Sequence, residues 1–171
     1  MMSKPLIFIL SMSCLVGMVS PGNGAQRRIG TELVDGQDVT VITSERLTFD
    51  YGKNYAVFEE NVVVTDPGMQ LIADKLAVWF NETGDAKLIK AEGDVHITQE
   101  DKAATAGQAT YDVVNGKIVL VQNPRLQRGH HYLEGTTITY WRDQELLVVE
   151  PQSKLVIFPE QGQDKINLLG D

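Results

Sequence analysis

Four segments of this 171-residue chain share one irregular spacing of apolar side chains, and that spacing restricts what it can fold into. Segments 42–49 (ITSERLTF), 71–78 (LIADKLAV), 104–111 (ATAGQATY) and 133–140 (LEGTTITY) begin 29, 33 and 29 residues apart. In each, the leading apolar residues stand five apart: Ile42 and Leu47, Leu71 and Leu76, Ala104 and Ala109, Leu133 and Ile138. On a regular strand an odd step sends two side chains to opposite faces. One extra residue in each copy, a β-bulge at a polar pair such as Asp74-Lys75 or Gly107-Gln108, returns both to one face and bends the strand. Recurrence at this period predicts four units, each a pair of strands turning a corner, stacked along one axis as a sandwich or roll.

From Ile29 onward no stretch shows helical periodicity, whereas period-two alternation is frequent. In the clearest case Ile89, Ala91, Gly93, Val95 and Ile97 alternate with Lys90, Glu92, Asp94, His96 and Thr98, a strand with one dry side and one wet side. Turn signals recur at 50–54, 66–68, 81–85, 115–116, 127–129 and 142–144, and strands joined by such short loops pair antiparallel. The class is all-β. Apolar residues make up 43% and charged ones 22%, sufficient for a folded core, which excludes wholesale disorder.

The N-terminus has the order of a secretory signal: Lys4, the apolar run Leu6 to Val19, then the small, turn-prone stretch Ser20 to Ala25. The run is 14 residues long, short of the roughly 20 that cross a bilayer. The expected organisation is a cleaved signal at 1–25, one domain at 26–159 and a loose polar tail at 160–171. A retained anchor and a lipoprotein signal at Cys14 are the alternatives. Against the latter, Ser11 stands where leucine is usual and the apolar run continues past the cysteine. Cleavage removes the one thiol and leaves 14 basic against 23 acidic residues, a net charge of −9 compared with −8 for the whole chain. Such a chain tolerates an oxidising compartment and is a poor nucleic-acid binder.

Catalytic candidates are weak. The histidines are His96, His130 and His131; the adjacent pair points to opposite faces of a strand, and His96 falls on a wet face. Carboxylates such as Glu92, Asp94, Glu100 and Asp101 lie in turns or on the outward phase, and no nucleophile elbow, phosphate loop or zinc-protease pattern occurs. No enzyme, metal site or cofactor is expected. The inward face holds Phe58, Val62, Val64, Leu71, Ala73, Leu76 and Val78 in the first half, and Ile97, Tyr111, Val113, Leu133, Ile138 and Tyr140 in the second, with Ile42 at its start. Periodicity leaves two arrangements open: a closed, dry sandwich, or two splayed sheets with an apolar groove between them. The stack has two ends, a strand at 39–43 bearing Val39 and Val41 and a strand at 154–158 bearing Leu155 and Ile157. Each is either capped by loops or free to pair with another chain.

The run 60–76 (ENVVVTDPGMQLIADKL) resembles the G-N-V and A-D corner pattern of the OstA-like family of lipopolysaccharide-transport bridge proteins. Similar features are Glu92-Gly93-Asp94-Val95, the stretch from Ala106 to Tyr111, Asn123-Pro124 and the segment 133–140, and together they span Val39 to Phe158. Two departures are Glu60 where glycine is usual and Thr136 in place of aspartate. The resemblance implies a half-open β-jellyroll in the periplasm that carries lipid A acyl chains inside and joins head to tail with like jellyrolls. Its partners would be the inner- and outer-membrane transport components. It also implies that Thr40, Ile42, Leu76, Val78, Tyr111 and Val113 line the lipid path. A membrane-tethered relative that feeds the bridge and a purely structural β-stack are the alternative readings.

Overall fold

The computed structural model describes residues 33–34 and 37–158, so the expected leader and tail lie outside the described residues. The chain forms strands β1 (Leu33–Val34), β2 (Gln37–Asp38), β3 (Val41–Thr43), β4 (Arg46–Asp50), β5 (Tyr55–Asp66), β6 (Met69–Phe80) and β7 (Ala86–Gln99). It continues through β8 (Lys102–Asp112), β9 (Lys117–Val121), β10 (Arg125–Arg128), β11 (His131–Glu134), β12 (Thr137–Trp141), β13 (Leu146–Glu150) and β14 (Lys154–Val156). A 3-10 turn at Arg142–Gln144 is the one helical element among the described residues. β1 and β2 pair with each other in a small separate sheet. All other strand contacts are antiparallel.

β5 to β8 are long enough to bend midway and run through two leaves. Leaf I joins β4, the first half of β5, the second half of β6, the first half of β7, the second half of β8, then β9, β12 and β13. Leaf II joins β3, the complementary halves of β5 to β8, then β10, β11 and β14. The chain passes from leaf II to leaf I at 43–46, 72–75, 106–108 and 134–137. These passages fall inside the four repeated segments.

The placement of the extra residues differs from the sequence expectation. In β5, Glu60 and Asn61 stand opposite Asp74 alone, and in β7, Gly93 and Asp94 stand opposite Gly107 alone. The bulges therefore sit on the return crossings, which the chain makes at 59–62, 92–95, 121–125 and 150–154. Lys75 and Gln108, expected inside a bulge, are regularly paired, Lys75 with Glu59 and Glu92, and Gln108 with Glu92 and Val121. The reason is backbone chirality. Each return crossing uses left-handed residues: Glu60 and Asn61 at φ 66° and 53°, Gly93 and Asp94 at 78° and 39°, Gln122 and Asn123 at 64° and 59°, and Gln152 at 60°. None of the outgoing crossings does. Asn and Asp tolerate this conformation, and at Gly93 a Cβ would collide with the Asp74 carboxylate. This close approach, with the left-handed φ, requires glycine at 93.

Register shows what the five-residue steps accomplish. Directly opposed residues share a side of the sheet. In leaf I one such row reads Leu47, Phe58, Leu76, Ala91, Ala109, Leu120, Ile138, Val149. In leaf II the matching row reads Ile42, Val64, Leu71, Ile97, Ala104, Leu126, Leu133, Leu155. All eight apolar ends of the four repeats lie in these two rows, which face each other across the core. Leu47 and Leu155 are 56% and 47% exposed because β4 and β14 are edge strands, not because they point outward. The outer face of leaf I carries ion pairs of Lys75 with Glu59 at 3.3 Å and Lys90 with Glu92 at 2.7 Å.

Candidate lipid-binding groove

The corners hold the two leaves together along one side, and the hairpin turns lie on the other. Between the leaves, toward the turns, lies a cavity of about 430 Å³, within the roughly 300–1,000 Å³ typical of small-molecule sites. Leaf II contributes Met69, Ile97, Ala103, Ala104, Leu126 and Leu133, and leaf I contributes Ile118, Leu120, Ile138, Tyr140, Leu146 and Leu147. Gln99, Lys102, Gln127, Arg128 and Glu145 complete the lining. The cavity reaches from β6 to β13, so it occupies the part of the stack beyond the first strands.

Of the residues singled out from sequence, Ile97, Leu133, Ile138 and Tyr140 line this cavity. Val62, Val64, Leu71, Ala73, Leu76, Val78 and Tyr111 are packed into the buried cluster, with Ile42, Phe58 and Val113 partly buried against it. None of these side chains lines the cavity; they hold the leaves together in this structure. Thr40 is half-buried outside that cluster, and its hydroxyl donates to the buried Asp66 carboxylate, Oγ1 to Oδ2, at 2.7 Å. Ile118, Leu120, Leu126, Leu146 and Leu147 escaped the sequence reading. Alternation in β9 around Val119 carried a signal for the first two. Leu126 is the one apolar residue of a four-residue strand, and Leu146 and Leu147 open the unbroken apolar run of β13, so neither strand shows an alternation.

One inward row further toward the turns, leaf II changes character: Asp66, Met69, Gln99, Lys102, Arg128, His131. Arg128 Nε donates to Asp101 Oδ2 at 3.0 Å, and this bond holds the Asp101 carboxyl below its ordinary range. On the leaf I side, Arg142 Nη1 donates to the Tyr111 hydroxyl at 3.0 Å. Burial pushes the phenols of Tyr111 and Tyr140 up. Among the described residues no group of three or more His, Cys, Asp or Glu side chains is placed to hold a metal ion.

At each end of the stack an edge strand of either leaf has a flank with no partner among the described residues: β3 and β4 at one end, β13 and β14 at the other. Val41 is half-buried on β3, with Val39 just before it. Leu155 is exposed on β14, with exposed Ile157 just beyond. Phe49 and Tyr51 are exposed at the first end, their rings 4.5 Å apart, and Phe49 also stacks on Phe80 at 5.7 Å. At the second end the Phe158 amide donates to His131 Nδ1 at 3.1 Å.

Comparison with known proteins agrees with this architecture. In solved structures the fold resembles LptH from Pseudomonas aeruginosa, described as the LptA-homologous periplasmic component of the lipopolysaccharide transport device. The TM-score is 0.63 and the identity 17%, over 70% of this chain and 95% of that one. None of the curated proteins matches the chain. Residues 41–146, more than half of the sequence, match the family described as LptA/(LptD N-terminal domain) LPS transport protein. With its two-leaf jellyroll and repeated corners, the chain belongs to the LptA/LptD N-terminal domain family of lipopolysaccharide transport proteins.

Proposed function

We propose that this protein carries lipopolysaccharide across the periplasm, holding the acyl chains between the two leaves and passing them along a head-to-tail bridge of jellyrolls. The observation that carries this reading is the pair of apolar rows spanning the stack, which open into the 430 Å³ cavity. An acyl chain of a dozen carbons loses about 0.8 kcal/mol per CH₂ on entering water, roughly 10 kcal/mol in all. A carrier need only replace that water, with no bond made or broken, and direction comes from an energy source elsewhere in the transport machinery.

The unpartnered edges support the bridge. β4 and β3 at one end and β13 and β14 at the other offer backbone donors and acceptors beside exposed Leu47, Phe49, Leu146 and Leu155, the combination used in strand addition. On this reading Val39, Val41, Leu155 and Ile157 lie at the joints. The leader at 1–25 is removed on export, so the mature chain begins near Gln26. Native mass spectrometry of the protein purified from envelopes tests the proposal. The expected spectrum shows the chain with bound acylated, phosphorylated glycolipid and a mature N-terminus near Gln26. A lipid-free chain under conditions that preserve other lipid carriers would reject the transport role in favour of a structural stack.

A further inference from the structure

Resting on that lipid-carrying reading, we propose that the leaf II lip of the cavity docks the phosphate head of the acylated cargo, with Lys102 as the principal contact and Arg128 beside it. The chain as a whole is acidic, net −8, yet on this lip Lys102 and Arg128 stand directly opposite each other on β8 and β10. Like charges so placed destabilise a sheet; the Asp101 carboxylate, which acts on both cations, offsets part of that penalty, and a second anion between them offsets the rest. Arg128 has the Asp101 carboxylate at 3.0 Å. Lys102, half-buried, forms no ion pair among the described residues. Gln99 and His131 flank the two cations in the same inward row. The other charged residue of the lining, Glu145, belongs to the opposite lip, next to β13.

The neighbouring inward row, on the corner side, places Ile97, Ala104 and Leu126 just below the cations. An amphiphile whose tail enters the cavity there brings its head to the lip. Lys102 offers a compact charge with three donors, suited to a phosphate, without the fixed fork of an arginine. The net negative charge then repels the rest of an anionic head into solvent while the lip retains one phosphate.

The test measures binding of the exported chain to bisphosphorylated hexa-acyl lipid A and to the same lipid after phosphatase treatment, each in neutral detergent micelles. Wild type is expected to bind both, the phosphorylated form about tenfold more tightly at low salt, with the difference shrinking as salt rises. Lys102→Gln is expected to bring the two affinities close together, chiefly by weakening the phosphorylated lipid, while Lys102→Arg keeps most of the difference. Equal weakening of both lipids by Lys102→Gln, or no change in either, would overturn the assignment while leaving the lipid-carrying reading intact. Tight binding of inorganic phosphate alone would also overturn it, since the site needs the tail to position the head. If wild type binds neither lipid, the carrier reading fails and the lip loses its ligand with it.

Discussion

Replacing Ala104 with phenylalanine separates a ligand groove from a closed core in one variant. Ala104 is half-buried at the middle of the leaf II row and lines the 430 Å³ cavity. A phenyl ring there enters existing space, and burying it is worth about 1.5–3 kcal/mol, from which side-chain ordering removes up to about 1 kcal/mol. The net gain of about 1–2 kcal/mol raises Tm by several degrees, at roughly 3–6 °C per kcal/mol for a folded unit of this size. The same ring occupies volume that acyl carbons would fill, so bound lipid falls. Ala91, in the facing row, is 2% exposed and does not line the cavity. Ala91→Phe therefore overpacks and costs about 1–3 kcal/mol or more. Thermal unfolding followed by circular dichroism, alongside lipid quantification by mass spectrometry, reads both effects. A destabilised Ala104→Phe, or one with an unchanged lipid load, would refute the reasoning.

The corners and the lip yield further tests. Glu60→Gly is expected to stabilise by about 0.5–1 kcal/mol in urea unfolding, because a left-handed side-chain residue costs about 1–2 kcal/mol and glycine's extra chain entropy offsets only part of that gain. The exposed ion pair it removes, Arg46 to Glu60 at 3.5 Å, contributes little. Gly93→Ala is expected to destabilise by about 2 kcal/mol or more, since φ is 78° and the new Cβ meets Asp74; adding Asp74→Ala removes the carboxylate but keeps the Asp74 Cβ, which the new Cβ also meets, so it should recover only part of the steric cost and none of the conformational one. Asp101, held low by Arg128, contributes stability that is present above its unfolded value near pH 4. That contribution disappears as pH falls through the lowered folded-state value. In Arg128→Gln the carboxyl titration followed by NMR should move up toward the ordinary range, and an unmoved titration would show that the guanidinium is not its cause.

Much of the architecture was legible because a half-buried strand must write its orientation into its sequence. The four odd steps, from Ile42 to Leu47 through Leu133 to Ile138, are the outgoing corners, and the turn residues at 66–68, 81–85 and 115–116 mark where leaves end. The return corners were harder to read. Gly93-Asp94 announces a left-handed turn, but Glu60, Gln122 and Gln152 adopt the same conformation with side chains that give no hint of it. Which inward residues face the cavity was not legible. Leu76 and Leu133 are both inward leucines, yet one is packed and the other faces open space. What separates them is the divergence of two leaves, a property of many residues at once and of no single one.

The central claim, that apolar cargo runs between the leaves, is tested most directly by placing a photo-crosslinking amino acid at Leu126 or Leu133 and, in separate chains, at Ile72. Leu126 and Leu133 line the cavity. Ile72 is equally apolar and 44% exposed, but it pairs with Val63 and His96 on the outward face of leaf II. Irradiation in cells should join lipopolysaccharide to the inward positions and leave Ile72 unlabelled. Labelling at Ile72 equal to or greater than that at Leu126 and Leu133 would contradict the account.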